Sequence, residues 1–444
     1  MTSLLAAAYG ARVPHLCLLL AEVGSFVPTL LWRALLALAL LGTASSTVFL
    51  GMALVAALRN LRRTRIQSRA VAFDSLPMVS IFKPLHGAEP RLEENLESFF
   101  LQDYPSFEIV FGCRNSADAA LAVVERLRAR HPQVAARVVL SGEPEWPSAK
   151  IWSLDKMIAS STAQFLVISD SDILVRPDFL RNVVPPLLAP APAAGSAALP
   201  DSAIETPATG LVTCLYAGVP APDFWSHLEA LGMSVEMSSG VLIADMLEGM
   251  QFALGPVMAV RRDALEKIGG IRSAADYYSD DFVLGNRVHA AGYRVELSHY
   301  RVGHVLCAQS FRKTFATQVR WMQSTRYSRP RGHLGTGLTF AVPFGLLGLA
   351  AAIALGHPIL GAALLAASLL NGIVQSAAIG YGVVGDRRAL TLCWLYPLRD
   401  LLGFCVWLAS YCGGSHFHWR GELYRFTPGG RIVSIRRTSH AQPH

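Results

Sequence analysis

The chain predicts an α/β domain held between apolar helices, and three observations carry that expectation. Strand-like and helix-like segments alternate between residues 75 and 330. A charge-free stretch, Ala34 to Leu58, precedes that region and a longer apolar block follows it. The 444 residues have a mean hydropathy of +0.36 and only 16% charged residues, where soluble proteins carry about 25%.

The first 33 residues are semi-apolar and contain Pro14 and Pro28; their composition is compatible with an interfacial helix or with disorder. Residues 34–58 form a transmembrane helix about 38 Å long, enough for a hydrocarbon core of about 30 Å with some tilt. Arg59, Arg62, Arg63, Arg65 and Arg69 follow at once. By the positive-inside rule the chain leaves this helix into the cytoplasm. The length, and the lack of a charged leader with a cleavage site, set it apart from a signal peptide.

In residues 75–330, Val79 to Phe82, Phe107 to Cys113, Val138 to Leu140 and Phe165 to Ser169 are short apolar runs expected as strands. Apolar residues recur at helical spacing in Arg91 to Leu101, Asp118 to Arg130 and Ile151 to Ser160. This alternation implies a parallel sheet covered by helices on both faces, with ligands at the carboxyl ends of its strands. Pro185 to Gly210 is rich in Ala, Pro, Ser and Gly and is expected as a flexible insertion without chemistry. Phe224 to Gly249 is a Met- and Leu-rich helix, either a core helix or a greasy wall for a lipid. Ser310 to Arg326 is a basic amphipathic helix suited to the bilayer interface.

The second apolar block, 338–412, predicts two spans, Leu338 to Leu355 and Ile359 to Val384, joined at Gly356-His357-Pro358. Its last run, Leu390 to Cys412, contains Arg399-Asp400, an expensive pair in mid-bilayer. A re-entrant or interfacial helix keeps the basic tail, 413–444, in the cytoplasm. The net charge of +7 sits mostly on Arg beside these apolar segments. Anionic lipid and a nucleotide diphosphate account for it better than nucleic acid does. The seven Cys form no C-x-x-C pair, so reduced thiols are expected, with no zinc site and no disulfide framework.

The chemistry concentrates in a few positions. The run Gln164 to Ser169 ends in Asp170-Ser171-Asp172. Hard carboxylate oxygens at a strand end suit Mg²⁺ or Mn²⁺, shared with phosphate oxygens. Asp281 follows Asp280 at the head of an apolar helix; a second carboxylate there can take a proton from an alcohol, and its neighbour raises its pKa. Asp280 alone would pass for a helix cap. Arg320-Trp321 is either an interfacial anchor or the group that holds a leaving diphosphate. Asp118, read alone, is a helix-start Asp. His86, His289, His299 and His304 lack metal-ligand spacing and are expected in structural or solvated roles. Together these residues suggest sugar transfer from a nucleotide sugar at a membrane surface.

The chain also resembles the ceramide glucosyltransferases. The resemblance lies in Lys83-Pro-Leu-His-Gly87, Asn95-Leu-Glu-Ser-Phe-Phe100, Asp103-Tyr-Pro105, Asp170-Ser171, Gly269-Gly270, Asp281, Arg320-Trp321 and Trp419-Arg-Gly421. It implies an inverting GT-A fold, a Rossmann-like nucleotide-diphospho-sugar transferase domain flanked by transmembrane helices, and a UDP-sugar donor with a divalent cation. Asp118 then lies near the nucleotide, Asp170 and Asp172 at the metal, and Lys150 with Asp118 and Asp170 on the donor side. Asp281 is the general base, and Arg320 and Trp321 close a Gln/Arg-x-x-Arg-Trp signature whose opening position is Thr317 here. Ala244 to Gly255 and Asp281 to Arg287 are similar to the hopanoid-associated branch, which adds N-acetylglucosamine to bacteriohopanepolyol. Only five of the 39 basic residues are Lys; with the high Ala content this Arg bias suggests a bacterial inner membrane. The expected reaction moves glucose or N-acetylglucosamine from a UDP-sugar to the hydroxyl of a membrane lipid, ceramide or a hopanoid. The lipid enters between the Met-rich segment and the Ser310 to Arg326 helix. A processive polysaccharide synthase shares the carboxylates but needs a channel, for which three spans supply little wall. A catalytically dead scaffold would have lost them.

Overall fold

The computed structural model describes residues 12–67, 76–188, 207–412, 414–419 and 422–435. Helix α1 (Arg12–Gln67) leads into β1 (Val79–Pro84), α2 (Leu92–Phe100), β2 (Phe107–Cys113), α3 (Ala120–Arg130), β3 (Ala135–Leu140), α4 (Ala149–Ala159), β4 (Phe165–Ser169) and β5 (Ile173–Leu174). These elements match the expected alternation closely, because the strands are near-continuous apolar runs buried on both faces. Most of the Ala/Pro-rich insertion lies outside the described residues.

Three strands complete the sheet: β6 (Thr209–Val219), β7 (Val257–Arg261) and β8 (Arg294–Val305). The eight-stranded order is β3-β2-β1-β4-β7-β6-β8-β5. The expectation of a parallel sheet holds for β3-β2-β1-β4 and fails beyond it. β7 runs antiparallel to both β4 and β6. The chain enters β7 from the end of the sheet where β4 finishes, without crossing over first. β8 is parallel to β6, and β5 pairs antiparallel with β8. The α/β class stands, with a mixed sheet.

The segment Phe224–Glu248 (α5) is helical throughout, with a π-turn at Met233–Met237. Helices α6 (Asp280–Ala290), α7 (Phe311–Ser328) and α8 (Pro330–Thr336) follow. Then come α9 (Val342–Ala354), α10 (Pro358–Tyr381) and α11 (Tyr396–Cys412). Among the described residues three helices are long and apolar enough to cross a membrane: Thr29–Arg65, Phe224–Glu248 and Pro358–Tyr381. The stretch expected as a span from Leu338 to Leu355 is helical only over the 13 residues of α9, about 20 Å. The Arg399-Asp400 charges of α11 are buried in protein. Arg399 meets α5 and α7, and Asp400 Oδ2 accepts the backbone N–H groups of Ala341 (3.0 Å) and Val342 (2.8 Å) at the start of α9.

Helix α1 is fastened to both halves of the molecule. Gly42 lets the Phe344 ring of α9 approach its backbone; a Cβ there would fall 2.1 Å from that ring. Further along, Ala53, Ala56 and Ala57 are buried in the core of the α/β domain. Arg63 then reaches Asp245 (3.2 Å) and the Leu297 carbonyl (2.9 Å). The tail, expected only as a basic segment, forms a small antiparallel sheet: β9 (His416–Trp419), β10 (Glu422–Thr427) and β11 (Arg431–Ser434). Phe417, Tyr424, Phe426 and Ile432 cluster on one side of it, against Tyr278 and Tyr327.

Candidate active site

The strand ends build the floor of the site. At the end of β1, Lys83 is fully buried; its Nζ donates to the Asp170 carbonyl (2.6 Å) and to Ser169 Oγ (3.2 Å), and lies 3.6 Å from the centre of the Phe99 ring. Burial pulls its pKa down to about 7 against the pull of Asp172 and Asp170. Lys83 thus sets the backbone at the point where β4 becomes Asp170-Ser171-Asp172. The β5–β8 pairing brings His304 to Asp172, with His304 Nε2 3.2 Å from Asp172 Oδ2. Burial raises the Asp172 carboxyl, but the His304 ring outweighs it and leaves the group below its usual value. Asp172 Oδ1 and His304 Nδ1 are buried without a hydrogen-bond partner.

The opposite wall begins at α6. Asp280 and Asp281 occupy its first turn, where the positive end of the helix dipole favours carboxylates. Lys150, in the first turn of α4, lies 2.8 Å from Asp170 Oδ1 and 3.3 Å from Asp280 Oδ2, and so joins the two acidic groups. Asp281 Oδ1 accepts the Phe282 N–H at 2.8 Å. Burial, then the neighbouring Asp280 charge, push the Asp281 carboxyl up to about 6, against Lys150. A Cβ placed on Gly255 would lie 3.1 Å from Asp281 Oδ2 and 3.8 Å from Asp170 Oδ2. The two carboxylates therefore converge on one point, which is kept open by a residue without a side chain.

Arg320 and Trp321 come from α7. Arg320 Nε donates to the Tyr278 hydroxyl (2.9 Å) and its Nη1 to the His418 carbonyl (3.2 Å), so the tail sheet helps to hold it. Trp321 is 39% exposed. Asp170, Asp172, Lys150, Asp281, Arg320 and Trp321 all line a single cavity of about 2460 Å³. Met233 and Met237 of α5 line it too, so the two segments expected to flank a lipid form walls of one space. Asp118 stands beside the cavity, outside its lining; its Oδ1 accepts the N–H groups of Gly87 and Ala120, both at 2.9 Å, and ties the loop after β1 to the start of α3.

Lys83 and His304 were not singled out as site residues from sequence. Lys83 was visible only as part of a turn. His304 sits in a strand of mixed polarity, and its partner is set by a two-residue strand pairing. Among the described residues no group of three or more His, Cys, Asp or Glu is arranged to hold a metal. The chain offers two carboxylates, the pattern of a cation shared with phosphate oxygens. The orphaned Asp172 Oδ1 fits that role.

Comparison with known proteins gives relatives of one kind. Ceramide glucosyltransferase 1 of Caenorhabditis elegans is 24% identical over 53% of this chain and 47% of its own length. The chain thus spans about half of that relative. Ceramide glucosyltransferase 3 of the same organism is 23% identical over 83% of this chain and 77% of its own length. Among solved structures, a mannosyltransferase from Pyrobaculum calidifontis in complex with GDP-Man and Mn²⁺ aligns with a TM-score of 0.46 and 22% identity, over 83% of this chain and 99% of its own. The model of Glycosyl transferase family 21 matches residues 39–432. With most of its length matched and its α/β domain in the expected GT-A class, the chain belongs to glycosyl transferase family 21.

Proposed function

We propose that this transferase moves a hexose, glucose or N-acetylglucosamine, from a UDP-sugar to the hydroxyl of a membrane lipid, with inversion at the anomeric carbon. The observation that carries the reading is the convergence of Asp170 and Asp281 on one point of a cavity walled by both the α/β domain and the apolar helices. Ceramide and a hopanoid polyol are the two acceptor classes, and a bacterial inner membrane is the location.

Asp281 accepts the proton of the acceptor hydroxyl; a carboxyl poised near pH 6 suits that task. The acceptor oxygen bonds to the anomeric carbon as the bond from that carbon to the diphosphate oxygen breaks, and UDP leaves with the electron pair. Arg320 and Lys150 face the diphosphate and take up its growing charge. Asp170 and Asp172 would hold Mg²⁺ or Mn²⁺, which when bound screens the negative charge of the diphosphate. Trp321, half-open to the cavity, stacks near the acceptor. The protein's contribution is position and electrostatics.

The test is transfer by purified protein in lipid nanodiscs, with UDP-glucose or UDP-N-acetylglucosamine and either acceptor. One sugar per lipid, lost in Asp281→Asn and on chelation of divalent cations and restored by Mn²⁺ or Mg²⁺, is expected. A growing polymer would point to a processive synthase, and absence of any donor turnover to an inert scaffold.

A further inference from the structure

We propose that Glu236, Gln318 and Arg399 form a headgroup subsite in the same cavity, which recognises a second hydrogen-bonding group on the acceptor, beyond the hydroxyl that reacts. The inference rests on the lipid-acceptor reading above and narrows it. The acceptor class becomes lipids that carry a further hydroxyl or amide near the reacting hydroxyl.

The three side chains come from elements far apart in sequence, α5, α7 and α11. Arg399 Nη1 donates to Gln318 Oε1 at 2.9 Å, and its Nη2 to Glu236 Oε2 at 2.8 Å. All three line the cavity that holds Asp281 and Trp321, and Gln318 lies two residues before Arg320 on the same helix. Their neighbours in that lining include the apolar Met233, Met237, Phe340 and Val406. A charged pair set in an apolar wall is a poor source of stability, because desolvation offsets the attraction. This one is also incompletely satisfied: Glu236 Oε1 and Arg399 Nε are buried without hydrogen-bond partners.

The backbone is shaped around the pair. A Cβ on Gly232 would fall 2.2 Å from Arg399 Nε, and one on Gly403 3.2 Å from Glu236 Oε1. Two helices therefore approach the ion pair at glycines. Glu236 itself sits in the π-turn of α5, a local feature frequent at functional sites. Its side chain keeps 25% of its surface where that of Arg399 keeps 10%, and it borders the cavity. A carboxylate has about four acceptor positions, and Arg399 engages one oxygen. The capacity left over is for a donor, an O–H or amide N–H of a bound lipid. A plain long-chain alcohol would offer its single hydroxyl to Asp281 and leave Glu236 unanswered. A site built to hydrogen-bond a group discriminates strongly against the analogue that lacks it.

The test compares two synthetic acceptors of equal chain length in nanodiscs, with the full chain and UDP-sugar. One is a plain primary alcohol, and the other carries an added N-acyl amide and hydroxyl. The quantity read is the ratio of kcat/KM between the two, which does not depend on how much of a variant is folded. The wild type is expected to prefer the amide-bearing acceptor by about tenfold or more, the scale of one charge-assisted hydrogen bond. Glu236→Gln and the near-isosteric Gln318→Met should each bring the ratio close to one, through KM for the amide-bearing acceptor. A wild type without preference would overturn the inference, and so would a preference that both variants keep; either result leaves the lipid-acceptor reading standing. A wild type that glycosylates neither alcohol would overturn that reading and the inference with it.

Discussion

Asp281 keeps its proton up to about pH 6 because it is buried beside Asp280. A base must be ionised to act. The raised value means that acid removes activity early: below about pH 6, kcat/KM should fall about tenfold for each pH unit. Asp281→Asn removes the base at every pH, and a loss of about 10²–10⁴-fold in kcat is expected, measured with saturating donor. Gly255 gives a sharper geometric check. Valine there would thrust a branched side chain between Asp281 and Asp170; transfer should fall to the level of the Asp281 variant while circular dichroism stays unchanged. These acidic residues were legible in the sequence because each stands at an element boundary, Asp170 after an apolar strand and Asp281 at a helix start. The Lys83 and His304 contacts were not, since each depends on which strand lies beside which.

Helix α6 carries Asp281 and is seated by Gly285. A Cβ on that residue would lie 2.3 Å from the Ala253 nitrogen, a backbone atom with no rotamer to yield. Gly285→Ala should therefore destabilise the protein by about 1–3 kcal/mol, the usual scale of overpacking. A lowered thermal midpoint together with reduced turnover would show it; an unchanged midpoint would contradict it. At this level the sequence was read best where strands are apolar throughout, as in β1, β2 and β4. β8 was missed because Glu296, Ser298, His299, Arg301 and His304 interrupt its Val and Leu residues; their partners lie far away in sequence, among them Thr209 for Glu296 and Asn60 for Arg301. The tail sheet was hidden in the same way, its apolar residues alternating with Arg and His. The Arg399-Asp400 pair, read as a reason to keep α11 out of mid-bilayer, finds its partners inside the protein instead.

The molecule as a whole joins a polar, strand-end site to apolar helices through one cavity, with the tail sheet along part of its lining. His418 of that sheet holds Arg320. Removing residues 413–444 should raise the KM for the UDP-sugar by about tenfold, the scale of a lost hydrogen bond to a charged group; steady-state kinetics with the shortened chain would read it, and an unchanged KM would show the sheet to be dispensable. The most direct test of the central claim is mass spectrometry of lipids from cells expressing the chain or its Asp170→Ala variant. A lipid heavier by a single hexose or N-acetylhexosamine unit, present with the wild type and missing with the variant, is the predicted result. An unchanged lipid profile, or the same glycolipid from both, would contradict the account.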